Sequence, residues 1–195
     1  MWALGLTVGW AAACSDAPSP LSEERRTQVA ALGHSAAQSL AQTLVGNLTR
    51  AIDEGGSAQA VEFCSLEAVA LTDAAVFAAG QGLDLKRVSF RVRNPDNAPD
   101  ELEAEALRHF EAELARGAPL PDGFVQPVEG GGFRYYQPLL VGEFCLQCHG
   151  TEDRISPEVR DVLASRYPDD HAVGYSAGDF RGLIRVAIPA DAVAP

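Results

Sequence analysis

The stretch Phe124-Val125-Gln126-Pro127-Val128-Glu129-Gly130-Gly131-Gly132-Phe133-Arg134-Tyr135-Tyr136-Gln137-Pro138-Leu139-Leu140-Val141 reads as two β-strands joined by a glycine turn. Aromatic and β-branched residues suit a pleated surface, and three successive glycines supply backbone free to take the positive φ of a hairpin turn. A hairpin is antiparallel by construction, so the sheet it belongs to is expected to be mostly antiparallel.

Downstream, Gly182 to Ile188 adds a strand with Ile184, Val186 and Ile188 on one face. Upstream, Val88, Phe90 and Val92 alternate with Arg87, Ser89, Arg91 and Arg93, the period of a half-buried strand with a basic polar face. Asn94-Pro95-Asp96-Asn97-Ala98-Pro99 follows as a rigid loop. Asp100 then caps a helix running to about Arg116, with Leu102, Ala106, Phe110 and Leu114 as its apolar stripe and Gly117 as its stop. Ser156-Pro157-Glu158 opens a short helix that ends near Tyr167-Pro168.

The N-terminal part is helical. From the cap Ser22, the residues Val29, Leu32, Ala36, Leu40, Leu44, Leu48 and Ile52 recur every three or four positions, which predicts one long amphipathic helix. Gly55-Gly56 interrupts it, and Ser57 can cap a second helix whose Val61, Cys64, Ala68, Leu71 and Ala75 share a face. Cys64 is therefore expected to point inward. This element order predicts an α/β (α+β) domain: a mostly antiparallel sheet flanked by helices, with a long N-terminal helix. It is expected to form a single domain over residues 22–195.

The chain has 195 residues, 47% of them hydrophobic, enough to build a proper core. Its net charge of -12, from 15 basic and 27 acidic residues, argues against a nucleic-acid or anionic-membrane surface. Met1 to Ala13 carries no charged side chain and runs through Ala11-Ala12-Ala13 into Cys14. That resembles a bacterial lipoprotein leader over residues 1–13, with Cys14 lipid-modified and residues 14–21 as a linker. The leader is short and has no basic start, so a plain secretory signal or a buried apolar segment is the alternative. No other stretch approaches the roughly 18 apolar residues that span a bilayer, so membrane contact is expected through the lipid alone.

The hairpin runs directly into Cys145-Leu146-Gln147-Cys148-His149, the spacing of c-type haem attachment. Two thiols one helical turn apart can each form a thioether with a porphyrin vinyl group, and the adjacent imidazole is carried to the iron. A structural zinc site would need a second closely spaced ligand pair, which the sequence lacks. A thioredoxin-like dithiol would normally follow a strand in a βαβ unit and does not require His149. Covalent haem attachment in bacteria takes place outside the cytoplasmic membrane, so the motif and the leader both point to the periplasm.

His149 leaves one axial position of the iron to be filled. Met1, the only methionine, belongs to the leader. The remaining candidates are His34, His109, His171, the single lysine Lys86, and Cys64, or no residue at all. His109 lies between Glu105 and Glu113 on a charged helix face, His171 follows Asp169-Asp170 in a loop, and His34 is ambiguous. Cys64 is the thiol left over once lipid and porphyrin have taken the other three. It is either a small buried hydrophobe or a thiolate ligand. Arg87, Arg91 and Arg93 could neutralise haem propionates or form a solvated sheet face. Tyr135 and Tyr136 could line the pocket or belong to the core.

Four segments together carry a family resemblance: Ala60-Val61-Glu62-Phe63-Cys64, Arg93-Asn94-Pro95-Asp96-Asn97-Ala98-Pro99-Asp100, Tyr136-Gln137-Pro138-Leu139 ahead of the haem motif and Gly150, and Gly174-Tyr175-Ser176-Ala177-Gly178-Asp179. They resemble bacterial haem-binding domains catalogued as a domain of unknown function, and the resemblance covers roughly Ser22 to Pro189. It implies a PAS-like fold holding one covalent haem c, with iron between His149 and, by position, Cys64. Arg93 and Tyr136 are carried as further cofactor-binding candidates. Such domains often precede a membrane-anchored signalling output, and none follows here, so signalling is expected to pass to a separate redox or signalling partner. Thiolate ligation favours ferric iron and a low potential, and its loss on reduction would open a site for a diatomic gas. The expected role is thus redox or gas sensing, with a low-potential electron-transfer cytochrome as the alternative. No acid-base residue near the motif suggests an enzyme.

Overall fold

The computed structural model describes residues 21–193, apart from the side chains of residues 67–69 and 77. The expected leader and Cys14 lie outside the described residues. The N-terminal element, α1, is a helical run over Glu23–Ala79 interrupted at Gly56, whose φ of 78° is the left-handed region that glycine enters at least cost. Ser22 caps it by accepting from the Arg25 amide. Ahead of the kink, Val29, Ala36, Ala37 and Leu40 are buried against the sheet. Gly33 allows the closest approach, since a Cβ there would stand 2.3 Å from the Tyr135 Cβ.

The sheet is four-stranded, in the order β1-β4-β3-β2, with every neighbouring pair antiparallel. Its strands are β1 (Asp84–Val88), β2 (Phe124–Pro127), β3 (Phe133–Leu140) and β4 (Phe180–Ile188). Ile184, Val186 and Ile188 of β4 join Phe133, Tyr135 and Leu85 in the layer under α1. The other face is covered by α2 (Glu101–Ala115), where Ala106, Leu107 and Phe110 pack on Val88, Tyr136 and Leu183. The architecture is therefore a mixed α/β fold: an open antiparallel sheet between helices, led by a long helix.

Two local expectations are corrected. The first strand ends at Val88 instead of continuing to Arg93. Ser89 turns the chain away: its hydroxyl bonds the Arg181 carbonyl at 2.8 Å and accepts from the Arg91 amide at 3.1 Å, replacing ladder bonds. Arg91 and Arg93 consequently do not share a strand face with Arg87, and Phe90 is exposed. On α2 the buried stripe is Glu103, Ala106, Leu107 and Phe110, while Leu114 is exposed. Glu103 draws the helix round because it closes a capping box with Asp100 and accepts from Arg185 at 3.1 Å and Lys86 at 3.0 Å.

After the kink, α1 first packs on α4 (Pro157–Arg166), with Val61 buried among Ile155, Val159 and Leu163, and its last turns bring Ala75, Val76 and Ala79 back against the sheet-side core. Between β3 and α4 in the chain lies the one-turn helix α3 (Leu146–His149). The kink at Gly56 thus lets one helical run pack on the sheet and also reach the segment that follows the hairpin.

Candidate functional site

A cavity of about 560 Å³ is lined by both arms of α1. The first arm gives it an apolar wall of Leu44, Leu48 and Ile52. Cys64 projects from the second arm, while Cys145, Cys148 and His149 come from the turn and helix that follow β3. Arg87 at the end of β1, Arg93 in the loop and Arg181 at the start of β4 complete the polar part.

The motif is held by main chain on both sides. Val141 leaves β3 and exchanges hydrogen bonds with the 178–179 turn, at 2.9 Å and 2.7 Å. Leu146 is buried beside Ala172 and Tyr175. The Tyr175 amide donates to the His149 carbonyl at 2.9 Å, and the Gly174 amide to the Gly150 carbonyl at 2.6 Å. A Cβ on Gly150 would stand 2.5 Å from the Leu146 carbonyl oxygen, so this turn has room only for glycine.

His149 Nδ1 lies 2.7 Å from the Ala172 carbonyl oxygen. That oxygen can only accept, so Nδ1 carries the hydrogen and Nε2 keeps its lone pair. Burial, reinforced by Arg93 and Arg181, lowers the imidazole pKa to about 3 and keeps the ring neutral at ordinary pH. Burial also raises the pKa of Cys64, against the opposing pull of Arg87 and Arg93, and that of Cys148, against Arg93. Both are neutral thiols in this form, and all three described cysteines are free.

The second arm of α1 is tied to the motif. Ser57 Oγ donates to Gln147 Oε1 at 2.6 Å, between the two motif cysteines, and Glu62 pairs with Arg166 of α4 at 3.3 Å. Cys64 is therefore carried on a helix fixed about two turns and again about half a turn earlier. The donors surround the cavity without converging on a point. Among the described residues no group of three or more His, Cys, Asp or Glu side chains is placed to hold a bare metal ion.

Cys64, Cys145, Cys148, His149 and Arg93 are thus brought together, although the Arg93 guanidinium is already engaged. It pairs with Asp170 at 2.9 Å and donates to the Cys148 carbonyl at 2.6 Å. Tyr136 is not among the lining residues; it is fully buried under α2, with its hydroxyl on Gln126 Oε1 at 2.9 Å. Tyr135 lies on the α1 side, bonded to His34 Nδ1 at 3.2 Å. His109 stacks on Phe124 at 4.6 Å, His171 is exposed, Lys86 pairs with Glu103, and none of these, nor His34, lines the cavity. Arg91 crosses the Tyr175 ring instead. Arg181 and Asp170 were not singled out by the sequence: an arginine opening a strand and an aspartate in a loop are each ordinary there.

No helix among the described residues is long and apolar enough to cross a membrane. No curated protein matches this chain. A solved structure described as that of "the cyanobacterial heme-protein Tll0287" superposes with a TM-score of 0.61 and 26% identity. The likeness covers 86% of this chain and 96% of that one. The model of the Tll0287-like family matches residues 22–189, from the cap of α1 to just past the end of β4 and including every side chain that lines the cavity, so the chain belongs to the Tll0287-like family.

Proposed function

We propose that this chain is a haem-binding protein that holds one c-type haem in the cavity, with Cys145 and Cys148 as thioether donors, His149 as one axial ligand and Cys64 as the other. The observation that carries the reading is that Cys64 and the Cys145-Leu146-Gln147-Cys148-His149 segment, distant in sequence, face one cavity. Three features of the cavity suit the group. Its volume of about 560 Å³ falls within the roughly 300–1,000 Å³ of small-molecule and cofactor pockets. Leu44, Leu48 and Ile52 give an apolar wall, and the donors stand apart instead of converging. The solved relative, described as a haem-protein, adds support.

When bound, haem supplies one-electron chemistry and, at an open axial position, affinity for diatomic ligands. The residues of the chain determine which of these is used. His149 is presented neutral, oriented by the Ala172 carbonyl, with Nε2 available. Cys64 must lose its proton to bind as thiolate, and Arg87 and Arg93 favour that form while burial opposes it. This balance makes Cys64 the weaker partner, and taking back a proton at Sγ would release it.

Because Cys64 is mounted on the second arm of α1, its release would free that arm from the haem. The role proposed is therefore redox or diatomic-gas sensing, in a PAS-like frame, passed to a separate partner protein. It is a binding role and not a catalytic one, exercised in the periplasm with Cys14 as lipid anchor. A second reading, a low-potential electron carrier, is favoured by the exposure of Val45, Leu66 and Phe144 on the cavity lining, which leaves an accessible edge.

The experiment is a pyridine haemochrome spectrum of protein produced with haem-maturation machinery, for the parent chain and Cys64→Ser. The reading expects a covalent haem spectrum in both and an altered ferric spectrum in the variant. No covalent haem in the parent overturns it, and unchanged ferric spectra remove Cys64 from the iron. Ferrous protein that binds carbon monoxide favours sensing; ferrous protein that stays six-coordinate favours the electron carrier.

A further inference from the structure

Beside the main cavity lies a smaller one of about 160 Å³, less apolar than the first, and the two share Arg87, Arg93, Arg181, Asn97 and His149. No carboxylate lines either. In a chain with 27 acidic and 15 basic residues, cations gathered without acids call for a partner. Arg93 has one in Asp170, and Arg166, on the far wall, pairs with Glu62. Arg181 donates only to neutral oxygens, Ser89 Oγ at 2.9 Å and the Arg91 carbonyl at 3.1 Å. Arg87 makes no hydrogen bond or ion pair with any described residue, and its charged neighbours include no carboxylate.

Arg87 therefore remains without a counter-charge at the junction of the cavities, and Arg181, which feels Asp170 and the Tyr175 ring but makes no ion pair, is repelled by both Arg87 and Arg93. A sequestered charge without a counter-ion is costly, and a guanidinium offers paired donors matched to a carboxylate. Accepting the haem reading above, on which this rests, the group that enters brings two carboxylates on its polar edge. We infer that Arg87 and Arg181 bind the two haem propionates, at the adjoining ends of β1 and β4. Of the three arginines the sequence put forward for this role, Arg87 keeps it, Arg91 crosses the Tyr175 ring, and Arg93 supports the His149 side through Asp170 and the main chain.

The assignment fixes which way the haem faces. Its carboxylate edge lies against the sheet, held by arginines from two strands that are themselves paired, Arg87 standing opposite Ile184 in the β1–β4 register. The hydrogen bond from Ser89 to the Arg181 carbonyl, which ends β1, also ties the two strand ends together.

The test uses the haem-loaded protein and the propionate vibrations in its resonance Raman spectrum. In the parent chain these bands are expected to stay constant between pH 5 and pH 8, because ion-paired carboxylates remain ionised. Arg87→Gln and Arg181→Gln are each expected to shift the bands, lower the reduction potential by removing a positive charge beside the haem, and make that potential pH-dependent. Arg87→Lys should recover much of the potential, and the surface variant Arg160→Gln should leave everything unchanged. Bands and potential unmoved in both glutamine variants would overturn the assignment. So would parent bands that titrate like a free carboxylic acid, a measurement that needs no variant.

Inorganic phosphate separates a second source of the same anionic chemistry. It should not raise the melting temperature of the loaded protein, and a rise abolished by Arg87→Gln would show that the arginines hold a free oxyanion instead. Absence of a haemochrome would defeat the haem reading itself, whereas a normal haemochrome with unmoved propionate bands would defeat this assignment alone.

Discussion

Asp170 stands behind His149: its Oδ1 accepts from the Ala172 amide at 2.8 Å, while the Ala172 carbonyl accepts from His149 Nδ1 at 2.7 Å. Its other oxygen pairs with Arg93, which donates in turn to the Cys148 carbonyl. One aspartate therefore fixes the peptide that orients the imidazole and neutralises the arginine that braces the motif. Outer contacts of this kind set the tautomer and direction of a ligating histidine.

Asp170→Ala is expected to cost about 3 kcal/mol of unfolding free energy, since it leaves Arg93, only 14% exposed, without its partner. Asp170→Asn keeps an acceptor for the Ala172 amide and should cost less. Urea unfolding of the two variants beside the parent gives both values, and equal losses would show that the charge of Asp170 is irrelevant.

Glu103 makes a related prediction in the core. It is 1% exposed, and it meets Arg185 and Lys86 while closing the capping box of α2. Glu103→Ala should cost about 3 kcal/mol, because it removes the buried partner of the Arg185 guanidinium, leaving only the exposed Asp84, as well as opening the cap. Glu103→Leu combined with Arg185→Leu should be less destabilised than Glu103→Ala alone, since the charges it leaves, Lys86 and Asp84, are 27% and 63% exposed and can turn to water. Chemical denaturation of the two proteins decides the order.

These two sites show where the sequence was readable. Local signals carried: the hairpin around Gly130-Gly131-Gly132, the helix interruption at Gly55-Gly56, and the stripe of β4 follow from neighbouring residues alone. The motif cysteines and His149 are equally local. Arg181, Asp170 and the inward turn of Glu103 depend on partners brought from other elements, and an ion pair between distant residues leaves no periodicity behind. The Asp100-Glu101-Leu102-Glu103 spacing is that of a capping box, a local signal that reading Asp100 alone as the cap passed over. The end of β1 was hidden for a different reason: Val88, Phe90 and Val92 keep the alternation of a strand, and it is the Ser89 hydroxyl, meeting a carbonyl of β4, that breaks it.

Burial raises the pKa of Tyr135 and of Tyr136 to about 12, from an ordinary value of 10.0. Both phenols are buried, and the unfolded chain gives up these protons first as pH rises. The stabilisation is complete below pH 10 and is lost as pH climbs through 12, at most about 2–3 kcal/mol for each tyrosine. Denaturant midpoints measured from pH 9 to pH 12 should fall across this window, and Tyr136→Phe should flatten part of the fall. A midpoint constant over the range would contradict the assignment.

Two glycines of α1 make opposite predictions within one helix. A Cβ on Gly33 would lie 2.3 Å from both Cβ and Cγ of Tyr135, whereas a Cβ on Gly46 meets nothing within 4 Å. Alanine is favoured over glycine in a helix interior by roughly 0.5–1 kcal/mol, so Gly46→Ala should stabilise by about that amount. At Gly33 the same gain is set against overlap with a side chain packed in the sheet layer, where overpacking costs about 1–3 kcal/mol. The helix can relieve the overlap only by lifting off β3, which weakens the His34 to Tyr135 contact as well. Gly33→Ala should therefore destabilise while Gly46→Ala stabilises, and thermal unfolding of the two variants separates the close approach from simple helix propensity.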